Sequence, residues 1–250
     1  MAARDKEQDK PRDPRASLAL LWGEQEQPTR GPKPKLSSRQ IAAAAVELAD
    51  GEGLDAVSMS RVAGGFGVSA MALYRYVPGK SELVELMVEA VLAEGPDLSG
   101  VPEGDWRAGA REWTRQCARV YADHPWLLAA TAMRRQVMGP RQLRWLDAAL
   151  AVLEPTGLGA AQRHQVFLLL VGLVRNLAQQ VSDHDEEQER EWNRLTGELL
   201  ARHADRFPAL TRAIAEGAFG PAVEPASVDP LDFGLGRILD GVEVLMAVPE

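Results

Sequence analysis

The sequence predicts an all-α protein, and three observations support this prediction. Apolar residues recur at the three- and four-residue spacings of amphipathic helices along most of the chain. No segment alternates apolar and polar residues in the manner of a credible strand. Hydrophobic residues make up 46% of the 250 positions, enough to bury a sizeable core. The single cysteine, Cys117, excludes an internal disulfide framework, so apolar packing must hold the helices together.

The first predicted domain, residues 36–82, begins with two amphipathic helices. The first is indicated by the spacing of Ile41, Ala44, Ala45, Leu48 and Ala49. Gly51 and Gly53 are expected to end it, since glycine readily takes the left-handed conformation found past helix C-termini. Ser58 is predicted to cap the second helix, which carries Val62 and Phe66 on its apolar side.

A tight turn and a short third helix follow. Gly67 supplies the turn, and Val68 is expected to pack between the flanking helices. Ser69 is the next candidate cap, for a helix over residues 70–76 in which Leu73 faces inward. Pro78 and Gly79 end it, and a fourth helix opens at Lys80 and continues to about residue 92.

This order of elements is that of a helix-turn-helix, in which the helix after Ser69 can be offered to the DNA major groove. Between Ser58 and Lys80 there are three basic residues and no acidic one. Two short helices around a glycine also occur in many helical proteins, so the pattern alone leaves a structural role open. With Leu-Tyr-Arg-Tyr-Val followed by Pro-Gly-Lys, the segment resembles the N-terminal domain of the TetR family of transcriptional regulators.

The resemblance implies binding to double-stranded, near-palindromic operator DNA. We expect Ala70, Met71 and Arg75 nearest the base edges, and Lys80 beside a phosphate at a helix N-terminus. The full set of predicted DNA-contacting residues is Lys33, Ser58, Ser60, Arg61, Ser69, Ala70, Met71, Ala72, Tyr74, Arg75, Tyr76 and Lys80.

Residues 1–35 are rich in charge and proline and are predicted to form a mostly disordered arm. Lys33 could reach phosphate or the minor groove, or the arm could be a solvated tail. Residues 1–80 carry 12 basic and 10 acidic side chains, a net charge of +2, whereas residues 81–250 carry 16 and 26, a net of −10. The acidity of the whole chain, −8, therefore does not argue against a DNA-binding N-terminal domain.

The second predicted domain, residues 83–250, continues with further helices. Their expected bounds are about 105–123, 126–133, 140–153, 160–181 and 231–248. The helix over 140–153 is expected to bury Leu143, Leu146, Leu150 and Leu153. An acidic stretch, residues 183–192, is expected to be a solvated loop or helix face rather than a metal site.

Two of these helices suggest a dimer interface. The run Val-Phe-Leu-Leu-Leu-Val-Gly-Leu-Val, from residue 166 to 174, is apolar almost all round and must be covered on two or more faces. The last helix, with its Phe-Gly-Leu run, resembles that of the tetracycline-repressor branch of the TetR family, which implies dimerisation through a four-helix bundle. The expected interface residues are Val166, Leu170, Leu173, Leu177, Gly234, Ile238, Gly241 and Leu245. Packing within one subunit is the alternative for all of them.

The same resemblance implies a small-molecule pocket in this second domain. Candidate wall residues are Trp113, Cys117, Met133, Gln136, Trp145, Phe167 and Asn176, each of which could instead belong to the core. Thr131 and Pro96 stand at or near positions where that branch has ligand- and metal-binding histidines. A magnesium–tetracycline complex is therefore not expected, and a bulky, fairly apolar effector is.

The sequence offers little support for other classes of function. The four histidines form no recognisable catalytic arrangement, and no P-loop or strand-borne Gly-x-Gly-x-x-Gly occurs, so no enzyme activity, metal or cofactor is expected. A helical adaptor that binds only proteins is the remaining alternative. No apolar run is long enough to cross a membrane, and a cytoplasmic location is expected. The prediction is a ligand-responsive repressor: an N-terminal three-helix helix-turn-helix domain joined to a C-terminal helical domain for ligand binding and homodimerisation.

Overall fold

The computed structural model describes residues 14–24, 36–92, 95–132, 137–182, 186–216 and 229–247, with the backbone alone for residues 182 and 186–190. These ranges contain twelve α-helices and no strand, which confirms the all-α prediction. The helices are α1 (Pro14–Leu21), α2 (Ser38–Glu52), α3 (Met59–Gly65), α4 (Ala70–Leu73), α5 (Lys80–Val91), α6 (Trp106–Asp123), α7 (Leu127–Thr131), α8 (Pro140–Val152), α9 (Ala160–Ser182), α10 (Glu186–Arg202), α11 (Pro208–Ala215) and α12 (Pro230–Met246).

Helices α2 to α5 enclose the first of two apolar cores. Its fully buried members include Ile41, Leu73 and Leu83. Helix α2 begins with a capping box, in which Ser37 Oγ accepts from the Gln40 backbone N–H and the Gln40 side chain accepts from the Ser37 backbone N–H. The helix continues past Gly51 and ends at Gly53, which has φ +83°. The expectation that Gly51 contributes to ending the helix is therefore wrong.

Helix α1 packs against α5. Leu20 and Leu21 are buried, and Ser17 Oγ donates to Glu82 Oε1 at 3.5 Å. The expectation of disorder over residues 1–35 is therefore wrong for Pro14–Leu21. Burial of these two leucines stabilises the helix, an effect that composition averaged over the whole arm does not show.

The second core lies between α6, α8, α9 and α12. Trp113, Leu153, Leu170, Leu235 and Leu239 are fully buried in it. Helix α9 is central, since it contacts both α6 and α12.

Of the four leucines predicted to be buried along α8, Leu153 is fully buried as expected, but the rest of the buried side differs. Trp145, Ala149 and Leu153 face the second core, whereas Leu143 is exposed and Leu146 and Leu150 are half-buried. The helix has two adjacent apolar stripes, and the partners in the fold decide which of them is covered. The uncovered stripe lines an open groove of about 430 Å³.

The two cores meet along α5 and α7. Helix α5 supplies Leu83, Val84, Met87 and Val88 to the first core, so the expected domain boundary after residue 82 falls inside this helix. Helix α7 lies within the second predicted domain, residues 83–250, yet its Leu127 and Ala130 pack into the first core. Beyond residue 185, the acidic stretch continues into α10, which the sequence analysis did not assign as a helix, and α11 follows it.

Candidate DNA-binding surface and regulatory domain

The turn between α3 and α4 is built as the sequence predicted. Ser58 Oγ accepts a hydrogen bond from the Arg61 backbone N–H at 3.2 Å, which caps α3. Gly67 has φ +65°, a conformation that L side chains rarely adopt, and this permits the sharp turn. Leu73 is fully buried and fixes the inner face of α4.

The outer face of α4 is presented to solvent. Met71 is 75% exposed and Arg75 is exposed, while Ala70 and Ala72 are half-buried. The α-helix is shorter than the predicted residues 70–76, but its turns continue, because the Val77 backbone N–H donates to the Leu73 carbonyl at 3.0 Å. These residues therefore form a compact, protruding surface.

Two predictions about the flanks of α4 need correction. Val68 is 37% exposed, so it does not pack between the helices as expected. Ser69 occupies the N-cap position, but its side chain makes no cap hydrogen bond. Its exposed hydroxyl remains a candidate phosphate contact.

The predicted DNA-contacting residues of α3 have other contacts. The Arg61 guanidinium donates to Glu52 Oε1 at 2.7 Å and to the Ala56 carbonyl at 3.3 Å. The hydrogen bond from Arg61 lowers the pKa of the Glu52 carboxyl below its usual range. Ser60 is exposed, and its hydroxyl lies 3.2 Å from that of Ser58. Ser60 and Arg61 are both exposed, whereas Ser58 is half-buried.

Helix α5 begins next to α4 with Lys80. Its N-cap is Gly79, which has no side chain to satisfy the first backbone N–H groups. Leu83 in the same first turns is fully buried, so the start of α5 is held firmly against the first core. Tyr74 and Tyr76 are half-buried between α4 and this point. Lys33 lies outside the described residues.

Four of the candidate effector-binding residues come together in the second core. The Trp113 ring lies 5.8 Å from the Trp145 ring and 5.8 Å from the Phe167 ring, edge to face in both pairs. Cys117 is buried beside them, and burial raises the pKa of its thiol to about 12. The side chain is therefore a neutral thiol at physiological pH.

The other candidate effector-binding residues do not join this group. Asn176 is exposed and accepts a hydrogen bond from Gln180 at 2.9 Å, on the outer side of α9. The prediction that Asn176 lines the effector pocket is therefore wrong. Met133 and Gln136 lie outside the described residues.

A polar group that the sequence analysis did not select lies at one end of this core. Arg175 donates to the Tyr121 hydroxyl at 3.2 Å, to the Thr131 hydroxyl, and to the Leu128 carbonyl at 3.4 Å. The signal in the sequence was a cation directly after the apolar run of residues 166–174. Thr131 was noted only as the replacement of a metal-binding histidine.

The expected interface residues divide into two groups. Val166 and Leu170 are buried in the core of the protomer itself. Leu173 packs directly against Gly234, because a Cβ added at Gly234 would lie 2.6 Å from the Leu173 side chain. These four therefore hold α9 and α12 together within one chain, which corrects their assignment. Leu177 and Ile238 are half-buried, and Gly241 and Leu245 are exposed.

Exposed apolar side chains on the same two helices were missed by the sequence analysis. On α9 they are Leu168, 46% exposed, and Leu169, 57% exposed. On α12 they are Phe233, 58% exposed, and Val244, 66% exposed. A Cβ added at Gly172 or Gly241 would meet no atom within 4 Å. We refer to these six residues together with Leu245 as the outer face of α9 and α12.

Hydrogen bonds join α5 to the second core. The buried Glu89 carboxylate accepts from the backbone N–H groups of Arg141 at 2.9 Å and Gln142 at 3.0 Å, at the start of α8. Gly139 allows this approach, because a Cβ there would lie 2.3 Å from Glu89. Trp145 Nε1 donates to the Leu92 carbonyl at 3.1 Å. These contacts join the second core to the helix that carries Lys80.

A further contact runs from α2 to the loop before α7. Asp50 Oδ1 accepts from Trp126 Nε1 at 2.6 Å and lies 2.8 Å from His124 Nδ1. Among the described residues, no group of three or more His, Cys, Asp or Glu could hold a metal ion. No helix within the described ranges is long and apolar enough to span a membrane.

Together, these features define a class of protein: a DNA-binding helix-turn-helix head joined through one helix to a helical regulatory domain. Residues 41–87 match the family model described as bacterial regulatory proteins, tetR family, and residues 99–246 match the tetracyclin repressor-like C-terminal domain. The chain belongs to the TetR family and is a ligand-responsive, DNA-binding transcriptional regulator.

Individual relatives agree with this assignment. The chain is 35% identical to the HTH-type transcriptional repressor DrrR1 of Streptomyces coeruleorubidus, over 92% of this chain and 86% of the relative. It is 30% identical to the class A tetracycline repressor protein of Escherichia coli, over 83% and 91%. The structure of ActR from Streptomyces coelicolor in complex with actinorhodin matches with a TM-score of 0.71 and 26% identity, covering 84% of this chain and 96% of ActR.

Proposed function

We propose that this protein is a homodimeric repressor that binds a near-palindromic operator and is released from it by a small molecule. The observation that carries the proposal is the exposed outer face of α4, held over a fully packed core next to Lys80. DrrR1, the 35% identical relative, is named a transcriptional repressor, which supports repression as the direction of control. A regulator of chromosomal genes of this kind acts in the cytoplasm.

In this proposal α4 enters the major groove. Met71 and Arg75 are the side chains that protrude furthest from the surface and are best placed to reach base edges. Lys80 and the unsatisfied N–H groups of α5 bind phosphate, with Tyr74 and Tyr76 beside them. Ser60 and Ser69 add phosphate contacts at the edges, and Lys33 could add one from the arm.

The outer face of α9 and α12 forms the dimer interface. Its exposed leucine, phenylalanine and valine side chains have no cover within the described protomer, and Gly172 and Gly241 leave room for a close helix. A two-fold dimer through this face pairs two α4 readers, which must lie about 34–36 Å apart to enter successive major grooves.

The effector binds in the second core beside Trp113, Trp145 and Phe167. Their rings are in mutual contact, so a bulky ligand must separate them or lie against their edges. Either change displaces Trp145, which is bonded to the end of α5, and alters the position of Lys80 and α4. Effector binding and DNA binding are coupled because the effector has a different affinity for each of the two arrangements. The ActR structures contain actinorhodin or (S)-DNPA, which supports a small-molecule effector here.

Binding to the DNA upstream of the protein's own gene tests this function. Fluorescence anisotropy with overlapping labelled duplexes should find one that binds far more tightly than a scrambled duplex of the same length. Met71→Ala with Arg75→Ala should abolish that preference, whereas Arg119→Ala, an exposed arginine on α6, should not. Equal affinity for operator and scrambled DNA in the unaltered protein would favour the protein-binding adaptor instead.

A further inference from the structure

Arg175 places a positive charge at one end of the apolar core of the regulatory domain. It lies on α9, one residue after the buried Val174, and is half-buried itself. Its three hydrogen-bond partners are the Tyr121 hydroxyl, the Thr131 hydroxyl and the Leu128 carbonyl, all of them neutral. Because an arginine side chain is always charged in a protein, these partners solvate the guanidinium without neutralising it.

Two other arginines of this domain form ion pairs with carboxylates. Arg107 on α6 forms ion pairs with Asp240 and Glu243, and Arg115 pairs with Asp232 at 2.9 Å. Each pair joins α6 to α12. Among the described residues, no carboxylate forms an ion pair with Arg175 within 4 Å. A partly desolvated cation without a counter-charge is costly, and this cost calls for an anionic ligand.

The hydrogen bonds that Arg175 already makes leave a specific pair of donors. Its Nη1 group donates to Tyr121 and Thr131, and Nη2 donates to Leu128. Nε makes no hydrogen bond with a described residue, and Nη2 makes only the 3.4 Å bond to the Leu128 carbonyl, so the Nε–H and the neighbouring Nη2–H can take a further acceptor. These two donors lie parallel on one edge of the guanidinium, in the fork that matches the two oxygens of a carboxylate.

The surroundings of this fork are aromatic and uncharged. Trp113, Cys117 and Tyr121 follow one another at four-residue spacing along α6, and the Arg175 Cζ lies 5.9 Å from the Tyr121 ring centre. Phe167 continues the same side from α9 and meets Trp113. Cys117 stays a neutral thiol because of its burial and therefore does not compete for the cation.

We infer that Arg175 binds the carboxylate of the effector, and that the effector is an aromatic carboxylic acid whose rings lie toward Trp113 and Phe167. The inference rests on the proposed function, since it names the class of ligand for the same domain. It also gives a reason for independence from divalent metal: a fixed guanidinium at this position repels a metal ion and supplies the positive charge itself.

A panel of fused three- and four-ring aromatic carboxylic acids, each paired with its methyl ester, tests the inference. Binding is measured by quenching of tryptophan fluorescence in the full chain. For at least one pair, we expect the acid to bind about 10- to 100-fold more tightly than its ester, the value of a charge-assisted bidentate contact. The inference is overturned when every ester binds as well as its acid.

Substitutions of Arg175 locate the discrimination. Arg175→Gln should abolish the preference for the acid, and Arg175→Lys should retain part of it, because the charge remains and the fork is lost. Arg119→Gln, the same change at an exposed site on α6, should leave the preference intact. Circular dichroism confirms folding of each variant, and a preference that persists in folded Arg175→Gln would contradict the assignment.

Operator binding without ligand separates this inference from the proposed function. Arg119→Gln, the exposed control on α6, should bind operator DNA with unaltered affinity. If the unaltered protein binds its operator but does not prefer acids over esters, only the inference about Arg175 is contradicted. Failure of the unaltered protein to prefer any operator would remove the proposed function as well.

Discussion

The first core and the second core differ in how far a single chain completes them. In the first, the caps at Ser37 and Ser58 are satisfied locally, and Ile41, Leu73 and Leu83 are fully enclosed. In the second, apolar side chains such as Leu169 remain outside, and a charged side chain stays without a counter-ion among the described residues. The helix-turn-helix head is therefore completed by residues of one chain, whereas the regulatory domain leaves surfaces for two further components, a second chain and a ligand.

Blocking the outer face of α9 and α12 should have the largest effect. Gly241 is exposed with open space around it, so Gly241→Trp can be accommodated within the protomer but holds a partner helix away. We expect monomers in analytical ultracentrifugation and a loss of operator affinity of about 10²- to 10⁴-fold, because the two heads no longer bind together.

Gly197→Trp is the matched control, since Gly197 is also an exposed helical glycine with open surroundings, but on α10. That variant should remain a dimer with normal operator affinity. A Gly241→Trp protein that is still dimeric and still binds tightly would place the interface elsewhere.

Substitutions on the head should act more moderately and differ in kind. Lys80→Ala removes a phosphate contact, so it should weaken binding to all sequences and lower the salt slope by about one. Arg75→Ala removes a base contact and should reduce discrimination against a mutated operator by about 1–3 kcal/mol. Anisotropy titrations at several salt concentrations measure both. Identical salt slopes and preferences in both variants and the unaltered protein would contradict these roles.

The head was predictable from sequence because its determinants are short-range. The Ser58 cap, the Gly67 turn and the inward Leu73 all follow from residues within a few positions of each other. The fold class was predicted from helical spacing along the chain, and the family from the resemblance of this segment to the TetR N-terminal domain. The expectations for Val68 and Gly51 were wrong, since the surroundings of these residues depend on the exact length of α2 and on the packing of α3.

The regulatory domain was predictable only in outline. Sequence periodicity located α8 and α9, but each helix has more than one apolar stripe, and it could not decide which stripe the fold covers. Leu143 was therefore placed inside and Val166 at the interface, the reverse of what the structure shows for both. Arg175 was not selected because its significance depends on partners from α6 and α7, far away in the chain.

The connection between the two regions should be sensitive to Glu89. Glu89→Gln removes the charge that caps α8, and we expect a loss of about 1–3 kcal/mol in the free energy of unfolding. Operator binding should also respond less to effector, because α5 and α8 are less firmly joined. Glu103→Gln, at an exposed loop position, is the control, and chemical denaturation compares the three proteins. Equal stability of all three would refute a structural role for the cap.

The smallest expected effect is that of removing divalent metal. Thr131 is hydrogen-bonded to Arg175, and the described residues offer no cluster of metal ligands at this site. Addition of EDTA should therefore leave both operator binding and its release by effector unchanged in an anisotropy assay. An effector that acts only in the presence of magnesium would show that the regulatory site has been assigned incorrectly.

The central claim, that two reading heads are joined by the outer face of α9 and α12, is tested most directly by native mass spectrometry of the protein with its operator duplex. We predict two chains per duplex for the unaltered protein. A duplex with one half-site scrambled should bind much more weakly, and Gly241→Trp should give at most one chain per half-site. A single unaltered chain bound tightly to the full operator, with no loss when one half-site is scrambled, would contradict the account.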